Sequence, residues 1–391
     1  MKMFRTSTVP ESLKSFLSNQ ISFLNDNGFA IYTLSANGKE VDFLEQNLPI
    51  KKHYSVALKR KISLPHDLLS LIETFIIFKK VKPLIVHSIT PKAGLISMMA
   101  AYFAGVPVRV HTFTGLLFPT KKGLMKEILI LMDKILCLFA THIYPEGQGV
   151  CNDLRKYNIT KKQLKVIGNG SICGIDTNYY SPVNNHLFEA EDLKTKLGIV
   201  EGDFTFIFVG RLVSDKGINE LILAFSKMAL SNSKIKLLLV GSFDLTDTLN
   251  SVTIDEINNN KQIITTGFQE DVRPYLEVSN LFVFPSYREG FPNVLLQASC
   301  YSLPIIATNI NGCNEIIIEN ENGLLFESQN LRALENTMNY IYNNLDLQRK
   351  LSINSREMVT KKFNQNYVFD CILNEYNTIL QPFQNDIKAS Y

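Results

Sequence analysis

Short apolar runs alternate with longer amphipathic stretches along almost the whole chain. In the first half, residues 29–34, 83–87, 108–112 and 164–167 read as strands. Between them a helical period runs through 13–25, 67–79, 92–104 and 124–140. Strands alternating with helices of this length imply a parallel sheet with helices on both faces. The pattern breaks at Gly168-Asn169-Gly170-Ser171-Ile172-Cys173-Gly174-Ile175-Asp176, where three glycines in seven residues, with Asn and Asp, make a connector. A polar stretch with little periodicity follows, to about Gly202. The alternation then restarts, with strands expected at 205–209, 236–240, 263–265, 281–284 and 304–307 and helices at 218–228 and from Pro292. From Leu331 the tail reads as several helices in succession.

A chain of 391 residues is longer than one core usually serves. The pattern divides it into an α/β domain over 1–170, a second over 171–365, and a C-terminal helix in 366–391 that packs back on the first domain. Open parallel sheets take ligands beyond the carboxyl ends of their strands. Two such domains facing each other would put the active site in the cleft between them.

With 46% hydrophobic and 20% charged residues, the composition is globular. The start, Met1-Lys2-Met3-Phe4-Arg5-Thr6-Ser7, lacks the apolar core of a signal peptide. No membrane span is expected, since the longest apolar stretch, 128–140, is broken by Asp133 and Lys134. The six cysteines form no CxxC pair and no cluster with His, as expected of reduced thiols in a cytosolic protein. The net charge of +3 hides an asymmetry: residues 1–175 hold 23 Lys and Arg against 11 Asp and Glu, and the remainder 17 against 26. The basic half implies an anionic partner. Its clusters, such as Lys59-Arg60-Lys61 and Lys121-Lys122, carry no arginine-rich run or aromatic platform, which points to an anionic membrane surface rather than nucleic acid.

Two loops carry the candidate chemistry. Phe208-Val209-Gly210-Arg211-Leu212-Val213-Ser214-Asp215-Lys216-Gly217 ends a strand, turns on Gly210 and opens a helix. Arg211 and Lys216 therefore sit at the strand's carboxyl edge, where two cations and the helix-start amides can neutralise a diphosphate. Phe284-Pro285-Ser286-Tyr287-Arg288-Glu289-Gly290-Phe291-Pro292-Asn293-Val294-Leu295-Leu296-Gln297 repeats the strand–turn–helix plan. Gly290 permits close backbone approach, and Pro292 suits the first helical turn. The amides of Asn293 and Val294, in the first helical turn, are expected to face a phosphate. Glu289 is placed for sugar hydroxyls and Gln297 for a ribose, and Phe291 completes the donor-side set.

The chain resembles glycosyltransferase family 4, a family of the GT-B fold with two Rossmann-like domains, and within it the capsule- and O-antigen-type bacterial members. The likeness runs almost end to end. It rests on Val209-Gly210-Arg211-Leu212 with Asp215-Lys216-Gly217, on Pro285-Ser286-Tyr287-Arg288-Glu289-Gly290, and on Pro304-Ile305-Ile306-Ala307-Thr308 with Asn311-Gly312. Asn169-Gly170-Ser171-Ile172 before Gly174-Ile175-Asp176, and His87-Ser88-Ile89-Thr90-Pro91-Lys92-Ala93-Gly94, add to it.

The resemblance implies retaining transfer of a hexose-type sugar from a nucleotide-diphosphate donor, with domain 1–170 binding the acceptor and 171–365 the nucleotide sugar. Arg211 and Lys216 match the pair that grips the diphosphate, and Glu289 the first acid of the family's Glu-seven-residues-Glu signature. Gln297 stands where the second Glu should be. Thr114 occupies the family's sugar-contacting His position in His111-Thr112-Phe113-Thr114-Gly115-Leu116, leaving His111 as a structural residue. The first-strand loop, Thr8-Val9-Pro10-Glu11-Ser12-Leu13, lacks the double glycine of many relatives. Ser12, and His87 at the end of a strand facing the cleft, are acceptor-side candidates. His53, His66, His142 and His186 show no ligand spacing and read as structural or exposed. Glu315 reads as a helix-start charge.

No two aspartates stand two apart, so no metal site is expected, and the cations would take the metal's place. No cofactor is implied, because the nucleotide sugar, expected to be a UDP-sugar, is a substrate. The expected acceptor is a growing polysaccharide on a polyprenyl diphosphate, met at the inner face of a bacterial cytoplasmic membrane by a cytoplasmic, peripheral enzyme. A sugar-nucleotide 2-epimerase of the same architecture and an inactive nucleotide-sugar-binding assembly protein are the alternatives.

Overall fold

The computed structural model describes residues 1–182, 187–244 and 247–383. The chain forms two units, one of Met1–Gly174 joined by the chain from Gln365 onward, the other of Ile175–Asn364.

The first unit runs β1 (Lys2–Thr6), α1 (Pro10–Asp26), β2 (Ala30–Ser35), α2 (Val41–Asn47), β3 (Lys52–Ser55), α3 (Leu64–Val81), β4 (Ile85–Ser88), α4 (Pro91–Ala104), β5 (Val108–Phe113), α5 (Gly123–Phe139), β6 (His142–Pro145) and α6 (Gln148–Lys156). Its strands pair in parallel in the order β3-β2-β1-β4-β5-β6. The second unit opens with α7 (Leu187–Leu197), β7 (Phe204–Val209), α8 (Ile218–Ala229), β8 (Ile235–Val240), α9 (Ser251–Asn259), β9 (Ile263–Gly267) and α10 (Arg273–Glu277). It continues with β10 (Leu281–Phe284), α11 (Asn293–Cys300), β11 (Ile305–Thr308), α12 (Cys313–Ile316), β12 (Gly323–Phe326), α13 (Leu331–Tyr342) and α14 (Leu345–Phe363). Its order, β12-β11-β10-β7-β8-β9, is also parallel throughout. The chain then returns to the first unit as α15 (Gln365–Leu380). Both sheets thus start in the middle, wind to one edge, and come back to wind to the other. This is the doubly wound α/β order.

Four strands are absent from the expected list: β1, a central strand that is implied only by the loop after it, and β3, β6 and β12, which lie at sheet edges. An edge strand has one neighbour and needs less apolar sequence than a central one. Lys52-His53-Tyr54-Ser55, for example, buries only His53. The run 164–167, expected as a strand, is not one: only Leu164 forms a bridge, to Ile143 of β6. The polar stretch before Gly202 holds α7.

Helix ends follow local chemistry. The side chains of Asn250, Asn330 and Asn344 each accept a backbone N–H at 2.7–3.0 Å, capping α9, α13 and α14. In the first unit, alternate strand residues feed two cores. Met3, Ile31 and Ile85 face α1 and α15, whereas Phe4 and Val86 face α3, α4 and α5. On α15 the buried stripe Val368, Ile372, Tyr376 and Leu380 repeats every four residues, the helical period that holds one face against the sheet. Among the described residues no helix is long and apolar enough to cross a membrane.

Asp133 lies on the buried side of α5, 7% exposed. Burial pushes its carboxyl up to about 7. In the unfolded chain this proton leaves near the ordinary carboxylate value, while the folded chain keeps it until about pH 7. Stability therefore falls as pH rises between the two and stays lower above. We expect the unfolding free energy to drop from pH 5 to pH 8 by ~2–4 kcal/mol more in the wild type than in Asp133→Asn. Urea denaturation of both proteins at the two pH values checks this, and equal drops would remove Asp133 as the cause.

Candidate functional site

The second sheet changes direction between β7 and β10, its two adjacent central strands. The loops 210–217 and 285–292 leave their carboxyl ends side by side, at the switch point where such sheets take ligands. Glycines let these loops and their neighbours touch backbone to backbone. A Cβ on Gly217, whose φ is +70°, would stand 2.1 Å from the Pro285 carbonyl oxygen. One on Gly241 would meet the Gly210 oxygen at 1.8 Å, and one on Gly312 the Gly290 oxygen at 2.2 Å. The turns after β7, β8, β10 and β11 are interlocked in this way, and no side chain fits in the joints.

On this base stand the predicted charges. Lys216 ends a short 3-10 turn, Ser214–Lys216, and its ammonium forms an ion pair with the Glu289 carboxylate across the switch point. Its Nζ also lies 5.6 Å from the centre of the Phe284 ring. Both partners are largely covered, 18% and 13% exposed. Arg211 is more open and binds Asp244 at 2.9 Å. Further contacts tie the loops together. The Asp215 N–H donates to Asp247 at 2.8 Å, and the Asp215 carbonyl accepts from the Tyr287 N–H at 2.9 Å. Arg288 stands 3.6 Å from the Asp215 carboxylate. Burial and a hydrogen bond to Glu220 raise the Tyr287 hydroxyl above its ordinary range.

Pro292 caps α11 at its N-terminus, so the first-turn amides of Asn293 and Val294 point out of the helix beside Gly290. Phe291 turns away from the loop into the core, 7% exposed and 5.4 Å from the Phe363 ring, which leaves only its backbone at the surface. Gln297 donates through Nε2 to the Tyr180 hydroxyl at 2.8 Å. Burial pushes that hydroxyl up to about 12, with Tyr179 and Asp271 adding to the rise. The Arg273 guanidinium lies over Tyr179 at 3.8 Å and chelates Asp271. Tyr180 sits in the polar stretch without periodicity, and nothing in the sequence marks it as a partner of Gln297. Glu315 accepts from the Gly312 N–H at 3.4 Å, a helix-start charge as expected.

Ser12, Thr114 and His87 belong to the first unit. Ser12 lies half-buried in the first turn of α1. The Thr114 hydroxyl donates to the Ile89 carbonyl at 2.9 Å. His87 is not a rim residue. It is 2% exposed, bonded through Nε2 to Thr112 Oγ1 at 2.8 Å and through Nδ1 to Arg5 and Tyr376. Burial, Arg5 and His111 hold its pKa well below the ordinary histidine value, so the ring is neutral. His87 is therefore corrected from acceptor-side candidate to a core hydrogen-bonding residue, because the end of β4 is roofed by α15. His111 is structural as expected: it bonds Ser88 at 2.8 Å and fills the space that Gly94 leaves open. His186 lies outside the described residues. Among the described residues no three His, Cys, Asp or Glu gather as a metal site.

Two doubly wound units, the second presenting interlocked loops with a lysine–glutamate pair at its switch point, make up the GT-B architecture of nucleotide-sugar-dependent glycosyltransferases. Comparison with known proteins agrees. The family model described as "Glycosyl transferases group 1" matches residues 189–358, and "Glycosyl transferase 4-like" matches 9–145. The capsular polysaccharide biosynthesis glycosyltransferase CapM of Staphylococcus aureus is 31% identical over 97% of this chain and 98% of its own length. The UDP-Gal:alpha-D-GlcNAc-diphosphoundecaprenol alpha-1,3-galactosyltransferase of Escherichia coli is 30% identical over 84% of this chain and 83% of its own. The crystal structure of Anabaena HepE in complex with UDP superposes with a TM-score of 0.78 at 18% identity, covering 97% of this chain and 100% of that one. A Rickettsia africae glycosyltransferase structure gives 0.78 at 22%, covering 97% and 98%. The chain belongs to the group 1, family 4-like glycosyltransferases of the GT-B fold.

The interlocking can be tested with a matched pair of glycines. Gly217 (φ +70°) and Gly198 (φ +66°) have the same left-handed backbone, but a Cβ on Gly198 would meet nothing within 4 Å. Gly198→Ala should cost ~1 kcal/mol, the strain alone. Gly217→Ala should cost ~3 kcal/mol or more, since the Pro285 carbonyl must also move. Urea denaturation decides, and equal costs would mean that the loops are not locked.

Proposed function

We propose that this glycosyltransferase is a retaining, metal-independent enzyme that moves a hexose-type sugar from a UDP-sugar to a polyprenyl-diphosphate-linked acceptor in surface-polysaccharide assembly. The observation that carries the reading is the ion pair between Lys216 and Glu289 across the β7–β10 switch point. In the free enzyme the two charges satisfy each other. When a donor arrives, its diphosphate is the stronger partner for Lys216, and Arg211 and the α11 amides of Asn293 and Val294 add to the cradle. Glu289 is then released towards the sugar hydroxyls. As the glycosidic bond to phosphate breaks, negative charge grows on the diphosphate, and fixed cations stabilise it without rearrangement. In same-face transfer a leaving phosphate oxygen takes the proton of the acceptor hydroxyl as that hydroxyl bonds to the sugar, so no protein base is needed.

Other observations support parts of this reading. Gln297 keeps a carbonyl acceptor for a ribose once its amide donates to Tyr180. A UDP donor is in keeping with the UDP named for HepE and the UDP-galactose named for the Escherichia coli relative. That relative's diphosphoundecaprenol acceptor, and the capsular role named for CapM, are the grounds for the acceptor class. Such an acceptor places the enzyme in the cytoplasm, at the inner face of the cytoplasmic membrane. Ser12 and Thr114 are proposed for the acceptor and donor-sugar sides respectively.

Removing only one member of a largely buried pair leaves the other charge stranded. The test therefore couples Lys216→Met with Glu289→Gln. The double variant should melt within a few degrees of the wild type, yet transfer sugar at least ~10²-fold more slowly. Turnover is read as UDP released from a panel of UDP-sugars with a lipid-linked acceptor. A double variant with near-normal turnover would overturn the assignment. Sugar turnover without acceptor would favour the epimerase.

A further inference from the structure

The outer layer of the first unit carries apolar side chains that the core does not use. Helix α4 is the buried middle of that layer and packs against α3 on one side and α5 on the other. On α3, Leu64, Leu68, Ile72 and Ile76 form an exposed stripe with a four-residue period. On α5, Leu124, Ile128, Leu131 and Leu138, spaced by four, three and seven residues, form a second exposed stripe. The most exposed of them open their helices: Leu64 is 78% and Leu124 77% exposed. Crossover helices run back against their strands, so both first turns lie at the carboxyl edge of the sheet.

The charges at this edge are mostly of one sign. Lys59, Arg60 and Lys61 precede α3, Lys121 and Lys122 precede α5, and all five are exposed. The acids nearby are few. Glu11 pairs with Arg60 at 3.0 Å, Asp67 is held by Lys92 at 2.7 Å, and Glu127 stands exposed on α5. Exposed leucines and isoleucines along two helices, with cations at their leading ends, are the chemistry of a lipid interface. A protein partner would also cover the leucines, but the cluster of cations selects an anionic surface.

We propose that the outer face of α3 and α5 docks on an anionic lipid bilayer, with the first turn of each helix set among the headgroups and residues 59–61 and 121–122 holding lipid phosphates. Docked in this way, the carboxyl edge of the β1–β6 sheet, where open parallel sheets take their ligands, lies next to the lipid. The proposal does not depend on the donor chemistry, and its test uses none.

The full chain is mixed with vesicles of phosphatidylcholine alone or with phosphatidylglycerol, and bound protein is measured by flotation. The wild type should bind the anionic vesicles and not the neutral ones, and part of the binding should survive 0.5 M salt through the leucines. The triple variant Leu64→Ser, Leu68→Ser, Leu124→Ser should lose about tenfold or more in partitioning. Lys59→Glu with Lys121→Glu should lose about as much at low salt. Leu230→Ser, at a leucine 90% exposed in the second unit, should leave binding unchanged. Thermal melts of all variants should match the wild type, since these side chains carry no core contacts. Absence of binding to anionic vesicles would overturn the proposal. So would triple-variant binding equal to wild type, or a wild-type dimer that the triple variant splits.

Discussion

The carbonyl oxygens of Pro285, Gly210 and Gly290 occupy the places where side chains on Gly217, Gly241 and Gly312 would begin. The candidate site of the second unit rests on these joints. They bring four turns from four parallel strands into one surface and remove the play between them. Lys216 and Glu289 come from turns 73 residues apart in sequence, yet their side chains meet because Gly217 lets the first turn lie on the second. A site built on flexible loops would have to order them when the donor binds, at an entropic cost. Here that cost is met on folding.

The ion pair is a consequence of the same packing. A lysine and a glutamate this well covered would each be costly to bury alone, and together they hold the free site in a neutral state. The Phe284 ring under the ammonium restricts it further. The more open Arg211 pairs with Asp244 at the rim, and in the proposed reading it meets an incoming anion first. The two cations thus differ in kind. One is a half-exposed rim contact, the other a covered charge whose partner the donor displaces in the proposed reading.

Much of this was legible in the sequence, for a physical reason. Central parallel strands are covered on both faces, so they read as continuous apolar runs, and β7, β8 and β10 were found within a residue or two. The turns that carry Arg211, Lys216 and Glu289 announce themselves because glycine and proline there are demanded by backbone geometry. The edge strand β3 was missed because one covered face leaves room for Lys52 and Ser55, and the central β1 because its five residues carry Lys2 and Arg5. The run 164–167 misled because it is apolar for packing and not for pairing. His87 misled in the opposite direction: a histidine at a strand end looks available until the roof above it is known. The Gln297–Tyr180 bond joins positions 117 residues apart, and no local pattern encodes it.

The roof over His87 explains why the chain does not stop at Asn364. Arg5 is fully buried and bonds the Tyr376 hydroxyl, at 2.7 Å, and His87. A buried guanidinium beside a protonated imidazole would be repelled, so Arg5 and burial together keep the ring neutral. A neutral ring has one acceptor and one donor nitrogen. With Nδ1 facing Arg5 and Tyr376 it must accept there, and Nε2–H is left to donate to Thr112. The tautomer is thereby fixed by a residue from the start of the chain and another from near its end. Beside this trio, Glu375 accepts from Tyr144 at 2.9 Å and pairs with Lys165. Strands β1, β4, β5 and β6 are thus all bonded, directly or through one side chain, to a helix that follows the whole second unit in sequence. The polar groups buried on this side of the first sheet are therefore satisfied by α15, and they hold that helix in one register.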